Sequence, residues 1–329
     1  MIITRTPFRI SFVGGGSDLG AFYRRSQGAV LSTTINKYMY ISSHAFFEKD
    51  KVRIKYSKTE THRNVEDIQH PIVKEVLRKF DVGGALEISS IADVPAGTGL
   101  GSSSSYTVGL LHNMYTKFNT FSTKELLAKE ACDIEIEQLG EPIGKQDQYA
   151  AAYGGLNVIS FNTNDSVHVD AIHLKRSTHE ELESNLMMFY TGFQRKTSSI
   201  LTEQKDNMQE EKKFSALMTM VELVWELRDS LYAGDLTEFG SIMNRNWTLK
   251  QQLASKITNP TLNTLYDTAI RNGALGGKIL GAGGGGFLLL YCEKEKQDNV
   301  RTALEAVREL EFKFDSEGSK LIYVGDEYQ

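Results

Sequence analysis

The feature that most constrains this chain of 329 residues is a glycine- and serine-rich stretch between a predicted strand and a predicted helix. Residues 95–105 have the sequence PAGTGLGSSSS, after a strand ending near Val94 and before a helix beginning near Ser102. Glycines allow a tight turn that gathers backbone N–H groups, and the helix N-terminus adds unpaired donors and about half a positive charge. The stretch therefore predicts a loop for a phosphate chain, with a flexible polar connection as the alternative.

The composition predicts a soluble protein with a full core and no general affinity for polyanions. Hydrophobic residues make up 40% of the chain, charged residues 24%, and the net charge is -5. A phosphate must therefore be held by a few local donors. The cysteines, Cys132 and Cys292, lie in apolar patterns and are interpreted as reduced core residues, which favours a cytoplasmic location. The N-terminus alternates like a strand, and no stretch approaches the ~20 apolar residues of a membrane span.

Hydrophobic periodicity predicts a mixed first half. Strands are predicted in 2–13, 29–47 and 85–94, and a further pair in 154–161 and 166–174. One helix runs from the serine stretch to about Phe118. Another begins at Ser122, whose spacing to Glu125 is that of a capping box.

The second half is predicted to be mostly helical from about residue 212 to residue 270, with a helix start at Asn259 before Pro260. Residues 275–295 then predict a strand, a glycine loop and a strand. A helix near 295–310 and a strand near 320–324 close the chain. The predicted domains are residues 1–180 and 181–329.

Three further stretches have compositions suited to a ligand cleft. They are PFRISFVGGGSDLG (7–20), EIEQLGEPIGKQDQYAAAYGG (135–155) and KILGAGGGGF (278–287). The last contains the literal pattern G-x-G-x-x-G, but a dinucleotide site requires a helix after it, and FLLLYC predicts a strand. The sequence also lacks G-x-x-x-x-G-K-S/T, which excludes a P-loop nucleoside triphosphatase.

Together these motifs resemble the signatures of the GHMP kinases, the family of galactokinase, homoserine kinase, mevalonate kinase and phosphomevalonate kinase. PAGTGLGSSSS is similar to the family's phosphate loop, P-x-x-x-G-L-G-S-S, and KILGAGGGGF to its C-terminal motif, K-x-T/S-G-A-G-G-G-G. The resemblance implies an α+β fold with a two-domain GHMP-kinase-like architecture. Its N-terminal domain is a mixed βαβ domain that binds ATP, and its C-terminal domain is ferredoxin-like with added helices.

The first motif implies the substrate. GGGSDL stands where galactokinase-type members have G-E-H-x-D-Y, and it is closer to the branch that acts on D-glycero-D-manno-heptose 7-phosphate. The resemblance implies transfer of the ATP γ-phosphate to the anomeric hydroxyl of that phosphosugar, with Mg²⁺, for nucleotide-heptose synthesis. The alternatives are a kinase for another sugar such as fucose, for another small alcohol, or a ligand sensor without turnover. The expected partners are ATP and the phosphosugar, without nucleic acid or membrane, and a homodimer is left open.

The resemblance also implies residue roles. The ATP-binding residues are Pro95, Gly97, Thr98, Gly99, Leu100, Gly101, Ser102, Ser103 and Ser104. Ser103 and Glu137 are the implied magnesium ligands, and Glu135 is the second choice, on a different helix face. Asp147 is the implied catalytic base or orienter of the sugar hydroxyl. Lys145 is the second catalytic residue, placed to contact the transferring phosphate. Retention of these groups argues against a sensor.

The acceptor is expected to meet residues of the first and last motifs. The implied substrate-binding residues are Arg9, Gly15, Gly16, Ser17, Asp18, Arg195, Gly283 and Gly284. Arg9 is equally compatible with a structural ion pair. A distal phosphate requires its own cation, and the candidates are Arg24, Arg25, Arg195 and Lys196, of which Arg195 is favoured.

Overall fold

The computed structural model describes residues 1–192 and 197–325, so Arg195 and Lys196 lie outside the described residues. The first elements are β1 (Ile2–Val13), α1 (Gly20–Tyr23), β2 (Gly28–Ala45), β3 (Val52–Lys55), β4 (Thr59–His62), α2 (Pro71–Lys79), β5 (Leu86–Ala92), α3 (Ser102–Lys117), α4 (Lys124–Cys132), α5 (Gln146–Tyr153), β6 (Asn157–Phe161) and β7 (Val167–Ala171). A π-helical segment, Asp133–Gln138, follows α4 directly.

The remaining elements are α6 (Arg176–Ser184), β8 (Leu186–Tyr190), α7 (Thr197–Asp206), α8 (Glu211–Ala233), α9 (Leu236–Lys250), α10 (Pro260–Arg271), β9 (Gly276–Ile279), β10 (Phe287–Tyr291), α11 (Gln297–Ala303), β11 (Arg308–Glu309), β12 (Phe314–Asp315) and β13 (Lys320–Val324). Three short 3-10 turns lie at Val65–Asp67, Asn207–Gln209 and Lys294–Lys296. Among the residues that the structure describes, no helix is long and apolar enough to cross a membrane.

Two sheets organise the molecule. The larger has nine strands in the order β13-β1-β2-β5-β3-β4, and β2 also pairs with β6 and β12 while β7 pairs with β6. The smaller has the order β11-β8-β10-β9. Neighbours are antiparallel in all the described pairings except β3 with β5. Mostly antiparallel sheets covered by helices confirm the expected α+β class.

The strand directions bring two loops of the sequence motifs together. β1 and β5 both pair antiparallel with β2, so they run towards the same edge of the sheet. β5 ends opposite Met39, and the loop after it runs beside β1, where the N–H of Arg9 donates to the carbonyl of Leu100 over 3.0 Å. The glycine turn 14–18 follows β1, and the phosphate loop 95–101 follows β5. The buried second half of β1 and the packing of α3 against it hold this edge in place.

The helical prediction for the second half is confirmed by α8, α9 and α10. The amide oxygen of Asn259 accepts a hydrogen bond from the backbone N–H of Leu262 and so caps α10, as its place before Pro260 predicted. The prediction of Ser122 as the cap of α4 is wrong. The hydroxyl of the next residue, Thr123, accepts from the N–H of Leu126 instead, because the helix begins one residue later.

The last strands return to the first sheet. β12 pairs with β2, and β13 pairs with the edge of β1. A single division of the chain at residue 180 therefore does not separate the two sheets, because 314–324 completes the sheet that the N-terminal half begins. The final strand itself lies at Lys320–Val324, where the sequence predicted it.

Candidate active site

The phosphate loop forms the concavity that its composition predicted. Gly97, Gly99 and Gly101 have left-handed backbone angles (φ 77°, 84° and 76°), which favour glycine. Gly101 is the N-cap of α3, so the first turn of a 16-residue helix points its free N–H groups at the loop. The cavity at this point has a volume of about 260 Å³. Its lining includes Gly97, Gly99, Gly101, Ser102, Ser103 and Ser104.

Three of the predicted ATP-binding residues shape this loop without lining the cavity. Leu100 is buried in the core, and Pro95 is exposed at the start of the loop. The hydroxyl of Thr98 donates to the carbonyl of Pro95 over 2.9 Å, so it closes the turn. All three have a structural role in the loop, and their contacts with ATP stay a prediction.

The C-terminal glycine motif packs directly on the phosphate loop. A Cβ on Gly281 would lie 2.8 Å from the Cα of Gly99, and a Cβ on Gly286 would lie 2.2 Å from the carbonyl oxygen of Thr98. Gly281 and Ala282 line the cavity. The two loops approach closely because the glycines at the contact have no side chains.

Gly283 and Gly284, predicted to bind substrate, face away from this contact. The N–H of Gly284 donates to the carbonyl of Ile257 over 2.7 Å, and a Cβ on Gly283 would collide with the same residue. Neither glycine lines the cavity. The glycine run turns, and its middle packs against the segment before α10, so the structure does not bring these two glycines to the cavity and their contact with substrate stays a prediction.

A bidentate ion pair joins Asp147 to Arg9. The Nε and Nη2 atoms of Arg9 donate to the two carboxylate oxygens of Asp147 over 2.8 and 2.6 Å, and Nη1 donates to the carbonyl of Gly99 over 2.6 Å. Both side chains line the cavity. The structural ion pair considered for Arg9 is present in the wall of the site, and its contact with substrate stays a prediction.

Glu135, not Glu137, lies beside Ser103. The hydroxyl of Ser103 donates to Oε1 of Glu135 over 2.6 Å, and Gln148 Nε2 donates to Oε2 over 2.7 Å. Burial, opposed by these hydrogen bonds, raises the pKa of Glu135 to about 6. The prediction of Glu137 as the metal ligand is corrected: in the π-helical segment Glu135 faces inward, while Glu137 is exposed and lines an adjoining cavity.

Ser103 and Glu135 suit a small divalent cation. Magnesium prefers hard oxygen ligands and often takes only one or two from the protein, the rest coming from water and substrate phosphates. A hydroxyl and a carboxylate oxygen 2.6 Å apart, on the wall of the phosphate cavity, match that donor set. Within residues 1–192 and 197–325, no group of three or more His, Cys, Asp or Glu side chains is arranged for a metal.

Lys145 is directed away from Asp147. Its ammonium group donates to the carbonyl and to Oδ1 of Asp165 over 3.0 and 3.4 Å, and it lies 4.7 Å from the ring centre of Tyr23. It lines the adjoining cavity rather than the phosphate cavity. Residues two apart at a helix start face different sides, so the structure does not bring Lys145 to Asp147, and its catalytic role stays a prediction.

The turn after β1 presents Asp18 and Gly16 to the cavity. Oδ1 of Asp18 accepts from the N–H of Gly16 over 2.9 Å and from Nε2 of Gln146 over 3.1 Å. Burial, and then the negative charge of Asp147, raises the pKa of Asp18. Its position in the cleft matches the prediction of an acceptor-binding carboxylate.

Ser17 and Gly15 do not line the cavity. The hydroxyl of Ser17 donates to the carbonyl of Ala29 over 2.8 Å and is buried, so its predicted contact with substrate is corrected to a structural one. The carbonyl of Gly15 accepts from the ammonium group of Lys250.

Sequence reasoning missed two lysines of this region. Lys250 lines the cavity from the end of α9, and Lys278 is buried behind it on β9. Nothing in the helical pattern of α9 distinguishes Lys250 from a surface lysine. Lys278 is the first residue of KILGAGGGGF, and a charged residue in a strand that is predicted to be buried is itself a signal of a functional site.

Two family models match the chain and together cover just over half of it. The model of the GHMP kinases N terminal domain matches residues 68–155, and that of the GHMP kinases C terminal matches residues 227–309. The chain belongs to the GHMP kinases. It is therefore a phosphotransferase with an alcohol group as acceptor, in a family that uses ATP as phosphate donor.

Individual relatives of this GHMP kinase cover almost its full length. The D-glycero-alpha-D-manno-heptose 7-phosphate kinase of Campylobacter jejuni is 29% identical over 97% of this chain and 98% of its own. The galactokinase of Pyrococcus furiosus is 27% identical over 92% of each chain. The crystal structure of a D-glycero-D-manno-heptose 1-phosphate kinase from Bacteroides thetaiotaomicron superposes with a TM-score of 0.82 at 24% identity, covering 99% of this chain and 100% of its own, and shows that the fold is shared.

Proposed function

We propose that this GHMP kinase transfers the γ-phosphoryl group of ATP to the anomeric hydroxyl of D-glycero-D-manno-heptose 7-phosphate, giving the 1,7-bisphosphate for nucleotide-heptose synthesis. The observation that carries the proposal is the junction of Arg9, Asp147 and Gly99. One guanidinium group holds both the carboxylate and the phosphate loop, within 2.6–2.8 Å. The substrate follows from the Campylobacter jejuni relative, which spans nearly the whole chain.

Asp147 orients the attacking hydroxyl. Its carboxylate accepts a hydrogen bond from the anomeric O–H and directs the oxygen at the γ-phosphorus. The new O–P bond forms as the bond between the γ-phosphorus and the β–γ bridging oxygen breaks, and ADP leaves. The proton passes to the carboxylate and then to solvent. Such transfers depend mainly on positioning and charge stabilisation, and Arg9 supplies both for Asp147.

The loop 97–101 and the first turn of α3 hold the triphosphate through backbone N–H groups. Ser103 and Glu135 would hold Mg²⁺, which supplies charge neutralisation on the triphosphate when it is bound. Asp18, which also lines the cavity, accepts a hydrogen bond from a sugar hydroxyl. Cys132 and Cys292 are both buried and unpaired, which supports a cytoplasmic location for the reaction.

The test is ADP release with Mg²⁺ against D-glycero-D-manno-heptose 7-phosphate, unphosphorylated heptose, fucose, galactose and mevalonate. We expect turnover with the phosphorylated heptose at a kcat/KM at least about tenfold above any other acceptor, which corresponds to one charge-assisted hydrogen bond. Faster turnover with an unphosphorylated sugar would reject the substrate and keep the family. ATP binding without turnover for any acceptor would favour the sensor.

A further inference from the structure

The cleft contains two buried lysines to which phosphoryl transfer as described above assigns no task. Lys250 is 3% exposed and Lys278 is 1% exposed. The ammonium group of Lys250 donates to the carbonyl of Gly15 over 2.8 Å and lies 3.5 Å from Oε1 of Gln204. That of Lys278 donates to the hydroxyl of Ser11 over 3.2 Å. Among the described residues, neither forms a salt bridge with a carboxylate.

Gln204 on α7 adds a donor without an acceptor. Its side chain is fully buried, and its Nε2 has no hydrogen-bond partner among the described residues. A Cβ on Gly16 would lie 2.2 Å from this nitrogen and 3.3 Å from the Nζ of Lys250, so both donors converge on Gly16. Gly16 and Lys250 line the same cavity as Asp147. A buried donor left unpaired costs about 1–3 kcal/mol, which a ligand oxygen at this point would recover.

The charges of the cluster favour an anionic ligand. Arg9 is paired with Asp147, which leaves Lys250 and Lys278 facing the carboxylate of Asp18. Glu135, beside Ser103, and Glu141 also line the cavity. Burial lowers the pKa of Lys250 to about 8, although Asp18 opposes this, and burial also holds the pKa of Lys278 well below its usual range. A bound anion would restore the positive charge that burial disfavours.

Arg24 and Lys145, two cations of the adjoining cavity, are already engaged. Arg24 pairs with Asp165 at 3.1 Å, and the Nζ of Lys145 lies 3.4 Å from the same carboxylate. Arg25 donates to the carbonyl of Met208 over 2.6 Å. Two further lysines are exposed to solvent: Lys129 lines the adjoining cavity, and Lys205 lines a third cavity that shares Arg24 and Lys145 with it. A phosphate at Arg24 or Lys145 would displace an ion pair, whereas beside Lys250 it would meet the buried, unpaired donor of Gln204.

We propose that Lys250 and Gln204 bind the phosphate group at the far end of the acceptor sugar. The inference rests on the proposed function and gives it a specificity determinant. Asp147 and Lys250 line one cavity, so a single acceptor contacts both: its anomeric end at Asp147 and its phosphate at Lys250. A side chain at Gly16 would collide with Nε2 of Gln204 and crowd Nζ of Lys250, so glycine lets both donors reach this point.

The test compares Lys250→Met with wild type, using ADP release with D-glycero-D-manno-heptose 7-phosphate and with the unphosphorylated heptose. We expect the KM for the phosphorylated acceptor to rise about 10- to 100-fold, as for loss of a charge-assisted hydrogen bond. The KM values for ATP and for unphosphorylated heptose should stay within about threefold. Lys250→Arg should recover part of the loss. Lys205→Met, a lysine variant at the exposed neighbour of Gln204, is the matched control and should behave as wild type.

Gln204→Glu tests the same site if Lys250→Met does not fold. The side chain keeps its size and adds a negative charge beside Lys250, which should raise the KM for the phosphorylated acceptor alone. The pH profile of that KM is a further readout: the wild-type KM should rise above about pH 8 as Lys250, facing Asp18, Arg9 and Lys278, loses its proton, and Lys250→Met should remove this limb.

Three results would overturn the inference. If Lys250→Met raises the KM for both heptoses equally, Lys250 contacts a sugar hydroxyl instead. If Lys205→Met loses the preference for the phosphorylated heptose, the phosphate binds in the cavity that Lys205 lines. If Lys250→Met and Gln204→Glu both keep the wild-type preference for the phosphorylated heptose, the site is rejected. The proposed function is judged separately on the wild-type protein, because it fails if wild type does not phosphorylate the heptose 7-phosphate.

Discussion

The guanidinium group of Arg9 on β1 binds both carboxylate oxygens of Asp147 on α5 and, with its third nitrogen, the carbonyl of Gly99. Strand β1, the carboxylate of Asp147 and the phosphate loop are thereby fixed to one side chain that is 4% exposed. In the proposed reaction, a strand rather than a loop would set the position of Asp147 relative to the phosphate loop, which suits a reaction that depends on positioning.

Asp147→Asn should lower turnover by about 10²- to 10⁴-fold, because the amide accepts the hydroxyl proton poorly. ATP binding should change little, since Asp147 lies beside the phosphate loop and is not part of it. The measurements are kcat by ADP release and the Kd for ATP by calorimetry. Asp165→Asn, in the adjoining cavity, is the control and should remain near wild type. Parallel loss of turnover and ATP affinity in Asp147→Asn would contradict the assigned role.

Glu135→Gln should raise the Mg²⁺ concentration needed for half-maximal activity by at least about tenfold, as for groups that hold or orient a metal. Glu137→Gln is the matched variant, with the same chemical change two residues away on the exposed face, and should leave the Mg²⁺ dependence unchanged. The measurement is a Mg²⁺ titration at saturating ATP. A shift in Glu137→Gln alone would restore the original sequence prediction.

Burial of Glu135 should also appear in the pH dependence of stability. Because its pKa is raised from 4.5 to about 6, its stabilising contribution is complete below about pH 4.5 and is lost as the pH rises through about 6. Without metal and nucleotide, Glu135→Gln should therefore be more stable than wild type at pH 8, by up to about 2 kcal/mol, with the difference vanishing near pH 4.5. Urea unfolding between pH 4.5 and pH 8 measures this, and a pH-independent difference would show that the charge is not the cause.

Gly286→Ala should weaken ATP binding and lower the melting temperature, because its Cβ would lie 2.2 Å from the carbonyl of Thr98 and would displace the phosphate loop. Gly140→Ala is the control: its φ of 68° is also left-handed, but a Cβ there meets nothing within 4 Å. Both variants place an alanine in the left-handed region, which destabilises the protein by about 1–2 kcal/mol, and only Gly286→Ala adds a collision. Equal KM values for ATP in the two variants would argue against contact between the glycine motifs.

Much of the fold followed from local patterns. The alternation of β1, the apolar faces of α8 and α9, the cap at Asn259 and the turn chemistry of 95–101 are all set by residues close together in sequence, so they were predicted correctly. The pairing of β12 and β13 with the first sheet was not predicted. Antiparallel pairing between residues about 300 positions apart leaves no periodic signal in either strand.

The sequence by itself determined which loops carry the chemistry, because glycine-rich turns after strands have few other uses. Only the tertiary structure decided which side chains face those loops. A π-helical segment turned Glu135 inward in place of Glu137, and the packing of α7 and α9 brought Gln204 and Lys250 to Gly16. A side chain's direction depends on helix register and on distant packing, and a motif records neither.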